Sequence, residues 1–302
     1  MMLAGISAVE RDTGLSKDTL RMWERRYGFP DPQRDSLGER VYAAEQVEKL
    51  RVIKRLMDRG MRPGKLMRQP LEDLLALGSG FGNGDDAERV LAPEMHAMLA
   101  LLRSHRVSDL RRALARTLAR QGLGRFVTAI AVPLNRAVGE AWMRGELAVF
   151  EEHLYSESLQ IVLRAAIAAV PQDASSPRVL LTTLPGEQHG LGLLLAEALL
   201  ALEGAQCLSL GVETPVADIA SAAAAQSADI VALSFSGAYP VQQMSTGLGE
   251  LRARLDKGIA LWAGSAAGAL GRRPPQGVLV LSDLGALHAA LADWRALHAN
   301  DD

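Results

Sequence analysis

The sequence predicts a multidomain α and α/β chain: an N-terminal winged helix-turn-helix, a central four-helix bundle and a C-terminal doubly wound parallel sheet. Three observations carry this. Apolar residues recur at helical spacing through the first 170 positions, and after position 177 they change to short continuous runs. Clusters of turn-forming residues, GSGFGNG at 78–84 and PQDASSP at 171–177, punctuate the chain. Charge divides unevenly: residues 1–70 hold 15 Lys and Arg against 10 Asp and Glu, and residues 71–302 hold 18 against 25. A basic head of +5 on an acidic body of −7 points to a polyanion-facing module joined to something with another task. The boundaries expected are a head at 1–77, a linker at 78–93, a bundle at 94–172 and a sheet domain at 173–302.

A chain of 302 residues fits two or three domains. No run of 18 apolar residues appears, and the first residues lack a basic segment followed by a long apolar one, so a cytoplasmic protein without membrane contact is expected. The single cysteine, Cys207, excludes an intramolecular disulfide and a cysteine zinc cluster. No P-loop, GxSxG or HExxH is present.

In the head, Ile6 and Val9 mark a short amphipathic helix, Thr13-Gly14 a turn, and Ser16 the cap of a second helix with Leu20 and Trp23 inward. That second helix leaves Lys17, Thr19, Arg21, Arg25 and Arg26 for phosphates and base edges. The run TGLSxxTLRxWERRYG, then Pro32, Arg34, Gly38, Arg40 and Tyr42, then Val47, Leu50, Ile53, Leu56 and Gly60, resembles the MerR family of transcription regulators. The resemblance covers about sixty residues. It implies a dimer on two-fold operator DNA, read by residues 16–26 and gripped by a wing carrying Arg34, Arg40 and Tyr42.

The bundle reads as four or five helices, with Asp109 near a helix start and a break at Gly122 and Gly124. Arg112, Arg116 and Arg120, at i, i+4 and i+8, read as a solvated face, with a contact to another protomer as the alternative. The sheet domain reads as five βα units: apolar runs at 178–184, 206–210, 229–235, 258–264 and 277–281, each followed by a helical stretch. Ligands of such sheets bind beyond the carboxyl ends of the strands, at the switch point.

The loop after the first of these strands, LPGEQHGLG, sets Glu187, His189 and Gly192 just before a helix. The spacing resembles the cobalamin-binding loop of cobalamin-dependent methyltransferases and mutases, a Rossmann-like domain in which the His takes the lower axial position. The residue types suit what that resemblance implies: neutral imidazole is a good cobalt ligand, a carboxylate on its other nitrogen fixes the tautomer, and glycine leaves room beside the sheet. Ser234 and Gly264-Ser265 correspond to that family's later strand ends. Two departures stand there: Gly-Ser where Gly-Gly is usual, and Ser236 where the enzymes often have Leu.

Upstream, AWMRGELAVFEEHLYSE places Trp142, nine intervening residues and then Glu152-His153. This resembles the CarH, CarA and LitR group of MerR-type regulators, light-responsive proteins that use adenosylcobalamin. The resemblance implies that Trp142 and Glu152 cover the adenosyl face, that His189 is the lower cobalt ligand, and that His153 becomes the upper one after photolysis. On one straight helix Trp142 and His153 would lie about 16 Å apart, so a break near Gly145 is expected. The implied function is a cobalamin-controlled, light-responsive repressor, dimeric or tetrameric, and not an enzyme. Alternatives are a regulator that senses haem or another tetrapyrrole, one that senses cobalamin level without light, or one controlled by a partner protein. A corrinoid enzyme module is a further alternative, disfavoured because the bundle is far too short for a substrate barrel of about 250 residues.

Overall fold

The computed structural model describes residues 3–58, 61–80, 92–171, 177–237, 239–265 and 275–298. The chain divides into two compact units, one of residues 1–92 with 136–153, the other of residues 93–135 with 154–302.

The first unit begins with β1 (Leu3–Gly5), α1 (Ile6–Thr13) and α2 (Lys17–Tyr27), then β2 (Gln33–Arg34), β3 (Arg40–Ala43), α3 (Ala44–Asp58), α4 (Pro63–Leu66) and α5 (Leu71–Gly80). The turn between α1 and α2 has a local cause. Gly14 takes φ 67° and donates its N–H to the Glu10 carbonyl, closing α1. Two residues later the Ser16 hydroxyl accepts from the Thr19 N–H and starts α2. Leu20 and Trp23 turn inward as expected, joining Val9, Tyr42, Leu50, Ile53 and Leu56 in one core. β3 pairs antiparallel with β1 on one side and with β2 on the other. The β2–β3 turn is closed by Asp35, whose carboxylate accepts from the Leu37 and Glu39 amides.

The expected linker at 78–93 is entered by α5 up to Gly80, and residues 81–91 lie outside those described. Four helical stretches then occupy 93–168. α6 (Pro93–Arg103) and α7 (Val107–Gln121) pack through Met95, Met98, Leu99 and Leu102 on one side and Leu110 and Leu114 on the other. α8 (Leu123–Phe126) runs through a π-helical turn (Val127–Ala131) into α9 (Val132–Arg144), and α10 (Val149–Ala168) follows. The break falls at Gly145, with φ 78° and its N–H on the Trp142 carbonyl.

The second unit holds a five-stranded parallel sheet in the order β5-β4-β6-β7-β8, formed by β4 (Arg178–Thr182), β5 (Gln206–Gly211), β6 (Ile230–Phe235), β7 (Ala260–Ser265) and β8 (Leu279–Leu281). Between and after the strands come α11 (Leu191–Leu202), α12 (Val216–Ala225), α13 (Val241–Arg254) and α14 (Ala286–His298). Alternation explains the continuous apolar runs. Leu180, Val231, Leu233 and Leu261 face α12 and α13, while Val179, Leu181, Ile230, Ala232 and Trp262 face α11 and α14. Both faces are covered, so neither strand face has a polar side. The helical layer joins this unit where α8 meets α11, close enough that a Cβ on Gly124 would lie 3.3 Å from Leu202 Cδ1. Chain order places β4 next to both β5 and β6, so the strand order reverses at β4 and β6. Among the described residues no helix is long and apolar enough to cross a membrane.

Candidate functional site

The loop from β4 into α11 lies at that reversal. Glu187 is 1% exposed although ionisable, and its carboxylate is fully engaged. Oε1 accepts from the His189 amide at 3.0 Å and meets the His189 Nδ1 at 2.7 Å. Oε2 accepts from the Ser236 amide and the Ser236 hydroxyl, both at 2.8 Å. Burial alone would push this carboxyl up, but the hydrogen bonds from His189 and Ser236 outweigh it and hold the group below the usual carboxylate range. The carboxylate can only accept, so the His189 proton sits on Nδ1, and the neutral form of the ring then has its lone pair on Nε2. The ring itself is two-thirds exposed, with a relative side-chain accessibility of 67%.

The loop is braced on both flanks. On the β5 side the Thr183 hydroxyl donates to the Glu187 carbonyl at 2.6 Å and accepts from the Glu213 amide at 2.8 Å. On the β6 side the Tyr239 hydroxyl donates to the Pro185 carbonyl at 3.0 Å. His189 is therefore presented by a loop whose shape does not depend on the imidazole.

Beside it runs a row of small residues. Ser234 pairs with Gly264 in the β6–β7 ladder, and a Cβ on Gly192 would stand 2.7 Å from Ser234 Oγ. Position 192 thus admits no side chain without displacing the serine, and Gly192, Ser234 and Gly264 form a shallow cradle at the strand ends. The Gly264-Ser265 departure leaves this cradle open, because strand alternation sends the buried Ser265 side chain to the opposite face. The other departure, Ser236, is the residue that holds Glu187. An imidazole oriented by a buried carboxylate, with an adjacent cradle of small residues, suits a cobalt corrinoid with a long tail. Residues 266–274 lie outside those described.

Cys207 takes no part: burial, with the nearby Glu197 charge, pushes its thiol up to about 12.

Trp142, Glu152 and His153 lie in the other unit, on α9 and α10. Trp142 is half-buried in the last turn of α9. α10 is capped by Glu151, whose carboxylate accepts from the Ala148 amide at 2.7 Å. The neighbouring Glu152 has Oε2 3.1 Å from His153 Nδ1, and His153 is exposed. The structure therefore brings Glu187, His189, Gly192, Ser234 and Gly264 together in one unit, and Glu152 with His153 in the other.

In the head, Arg21, Arg25, Arg26 and Arg34 are exposed, and Lys17 and Thr19 are half-buried at the start of α2. Their own contacts are light: Arg21 Nη1 lies 3.4 Å from Asp18, Lys17 Nζ 3.7 Å from Glu10, and Arg34 Nη1 donates to the Gly38 carbonyl at 2.6 Å. Two of the residues expected at the DNA have partners within the head. Tyr42 is not a surface residue: its ring fills the core between α1 and α3, with no exposed area. Arg40 is engaged by Glu24 of α2, donating from Nε at 2.9 Å and Nη2 at 3.3 Å, and this pair raises its pKa further. Its role in the free chain is to tie the wing to the recognition helix.

Two site residues escaped the sequence reading: Ser236 as the holder of Glu187, 49 residues away, and Glu24 as the partner of Arg40. The signal for Ser236 was indirect, in that a buried loop carboxylate needs donors from a neighbouring strand end.

Comparison with known proteins supplies the context. Residues 5–68 match the MerR HTH family regulatory protein profile, and residues 95–167 match the B12 binding domain profile. The chain is 33% identical over 260 residues to the HTH-type transcriptional repressor CarH of Myxococcus xanthus, covering 84% of this chain and 86% of CarH. It is 30% identical over 260 residues to the repressor CarA of the same organism, covering 81% of each. The solved monomethylamine corrinoid protein of Methanosarcina barkeri shares the fold, with TM-score 0.52 at 15% identity, over 65% of this chain and 96% of that one. The chain belongs to the group of MerR-type, B12-binding transcriptional regulators that contains CarH and CarA, and it is a cobalamin-dependent, DNA-binding regulator.

Proposed function

We propose that the chain is a light-responsive repressor that takes the adenosyl form of cobalamin, works in the cytoplasm, and holds operator DNA as a self-assembled dimer or tetramer. The observation that carries this reading is the Glu187–His189 pair: a buried carboxylate, held by Ser236, orients an exposed imidazole through its Nδ1. His189 would hold the cobalt in this reading, and Gly192, Ser234 and Gly264 would leave space for the nucleotide tail. When bound, the coenzyme supplies a cobalt–carbon bond that light breaks. Trp142 and Glu152 cover the adenosyl side by resemblance to the family. His153, exposed and next to Glu152, would supply a second imidazole to the metal once the adenosyl group is gone. The contacts made by these residues differ before and after light, and only such a difference shifts an assembly equilibrium. The domain limits that go with this reading are a head at 1–77, a helical segment at 94–172 and a sheet domain from 173.

The test uses the full chain loaded with adenosylcobalamin in darkness. Illumination changes its absorption spectrum and its sedimentation mass together, and operator affinity with them. His189→Ala removes the coenzyme's retention on gel filtration, lowering affinity by more than the roughly 10–100-fold typical of outer-shell changes. Unchanged mass and DNA affinity after illumination overturn the light reading; unchanged retention in the alanine variant overturns the site.

A further inference from the structure

α7 and the turns at its two ends form a cationic island on an anionic body. Residues 103–125 hold seven Arg and a single acid, Asp109, for a balance of +6. The rest of 71–302 holds 11 Lys and Arg against 24 Asp and Glu, a balance of −13. On α7 itself Arg112, Arg116 and Arg120 project at successive turns, about 6 Å apart along the axis. Arg111 stands on the other side of a strip made by Ser108, Ala115 and Ala119, and all seven of these residues are exposed.

Internal neutralisation is incomplete. Asp109 engages Arg112 and Arg106, and Glu94 engages Arg120 at 3.0 Å. Arg111 and Arg116 have no acidic partner among the described residues. Like charges one turn apart repel, so this arrangement is stabilised when an outside anion arrives.

The nature of the anion follows from what the face lacks. No large apolar side chain between 103 and 125 is exposed, and the strip between the arginines is only alanine and serine. A protein interface needs an apolar or aromatic centre from which water is expelled. A phosphate backbone needs none: guanidinium groups meet phosphates directly and gain chiefly by releasing counterions. Duplex DNA is also the polyanion that the family profile of the head points to.

We infer that the Arg111–Arg120 face of α7 is a second, sequence-independent DNA contact, made to phosphates by residues outside the helix-turn-helix. It adds affinity and salt dependence without adding base readout.

The experiment measures binding of the full chain to a fluorescein-labelled 60-base-pair duplex of arbitrary sequence between 50 and 200 mM salt. In the Arg111→Gln, Arg116→Gln variant, log K against log salt becomes less steep by about 1.8, since each lost phosphate contact removes about 0.9. The Arg111→Lys, Arg116→Lys variant keeps the parent slope. Both side chains are exposed and have no acidic partner among the described residues, so thermal unfolding is unchanged and serves as the folding control. A Gln variant with the parent slope overturns the inference. So does a fall in sedimentation mass of the DNA-free Gln variant, which would assign this face to a second copy of the chain instead.

Discussion

The DNA-facing surface of the head and the β4–α11 loop present functional groups in opposite ways. On α2 the candidate arginines are exposed and lightly held: Arg21 is 3.4 Å from Asp18, and Arg25 Nε reaches the Arg21 carbonyl, also at 3.4 Å. In the loop the exposed group, His189, is aimed by a residue that water does not reach, and that residue takes four hydrogen bonds from His189 and Ser236. Long flexible cations suit a partner whose charges are spread along a backbone and whose exact register is found on binding. A metal ligand has to present one lone pair in one direction, which requires a fixed second partner. The same exposure therefore has different consequences for mutation: the helix tolerates change in its fold and loses charge, whereas the loop loses geometry.

Glu187→Gln is the sharpest way to break this contrast. The amide nitrogen of Gln must face either His189 Nδ1–H and the His189 amide or the two Ser236 donors, so donors confront a donor on one side. Leaving buried groups unpaired costs about 1–3 kcal/mol, and urea unfolding of the cofactor-free chain reports it. Loss of the fixed tautomer lowers adenosylcobalamin affinity by roughly 10–100-fold in a spectroscopic titration. If stability falls and affinity does not, Glu187 is a structural residue and His189 needs no orienting partner.

The counterpart in the head is the Arg21→Ala, Arg26→Ala variant. Its fold is expected to survive, because surface substitutions away from caps and cores fall within about 0.5 kcal/mol. Its DNA binding weakens, and the slope of log K against log salt becomes less negative by about 1.8 for two phosphate contacts. A parent-like slope would mean that these arginines are solvated and that other residues of the head carry the contact.

How much of this was legible in the sequence follows the same division. Helix caps, the inward Leu20 and Trp23, the break at Gly145 and the five strands depend on neighbours within a few residues, and the periodicity or a Ser or Gly in place shows them. Strand boundaries moved by a residue or two; the run at 258–264 begins its strand only at Ala260, after a turn at Asp256–Ile259. What the sequence could not show is pairing across distance. Ser236 looked like a departure from a pattern, and only the sheet order, with β4 beside β6, makes it the donor to Glu187. Arg40 looked like a free wing cation, and only the packing of β3 on α2 makes it the partner of Glu24.

Tyr42 is where the two modes of presentation meet, and it gives the smallest effect. Resemblance assigns its ring to the DNA side of the wing, while packing places it in the core with its hydroxyl buried and without a hydrogen bond among the described residues. Burial raises the phenol's pKa, with the Glu24 charge adding to it, so the group stays neutral. Removing an unsatisfied buried hydroxyl while keeping the ring restores no lost bond and relieves a desolvation cost, so Tyr42→Phe is expected to leave stability unchanged or raise it by up to about 1 kcal/mol. Its DNA affinity and salt slope are expected to match the parent. A gain in stability with a drop in DNA affinity would reverse that assignment: the hydroxyl would then be stored unpaired in the free head and satisfied by phosphate on binding, making the core residue part of the interface.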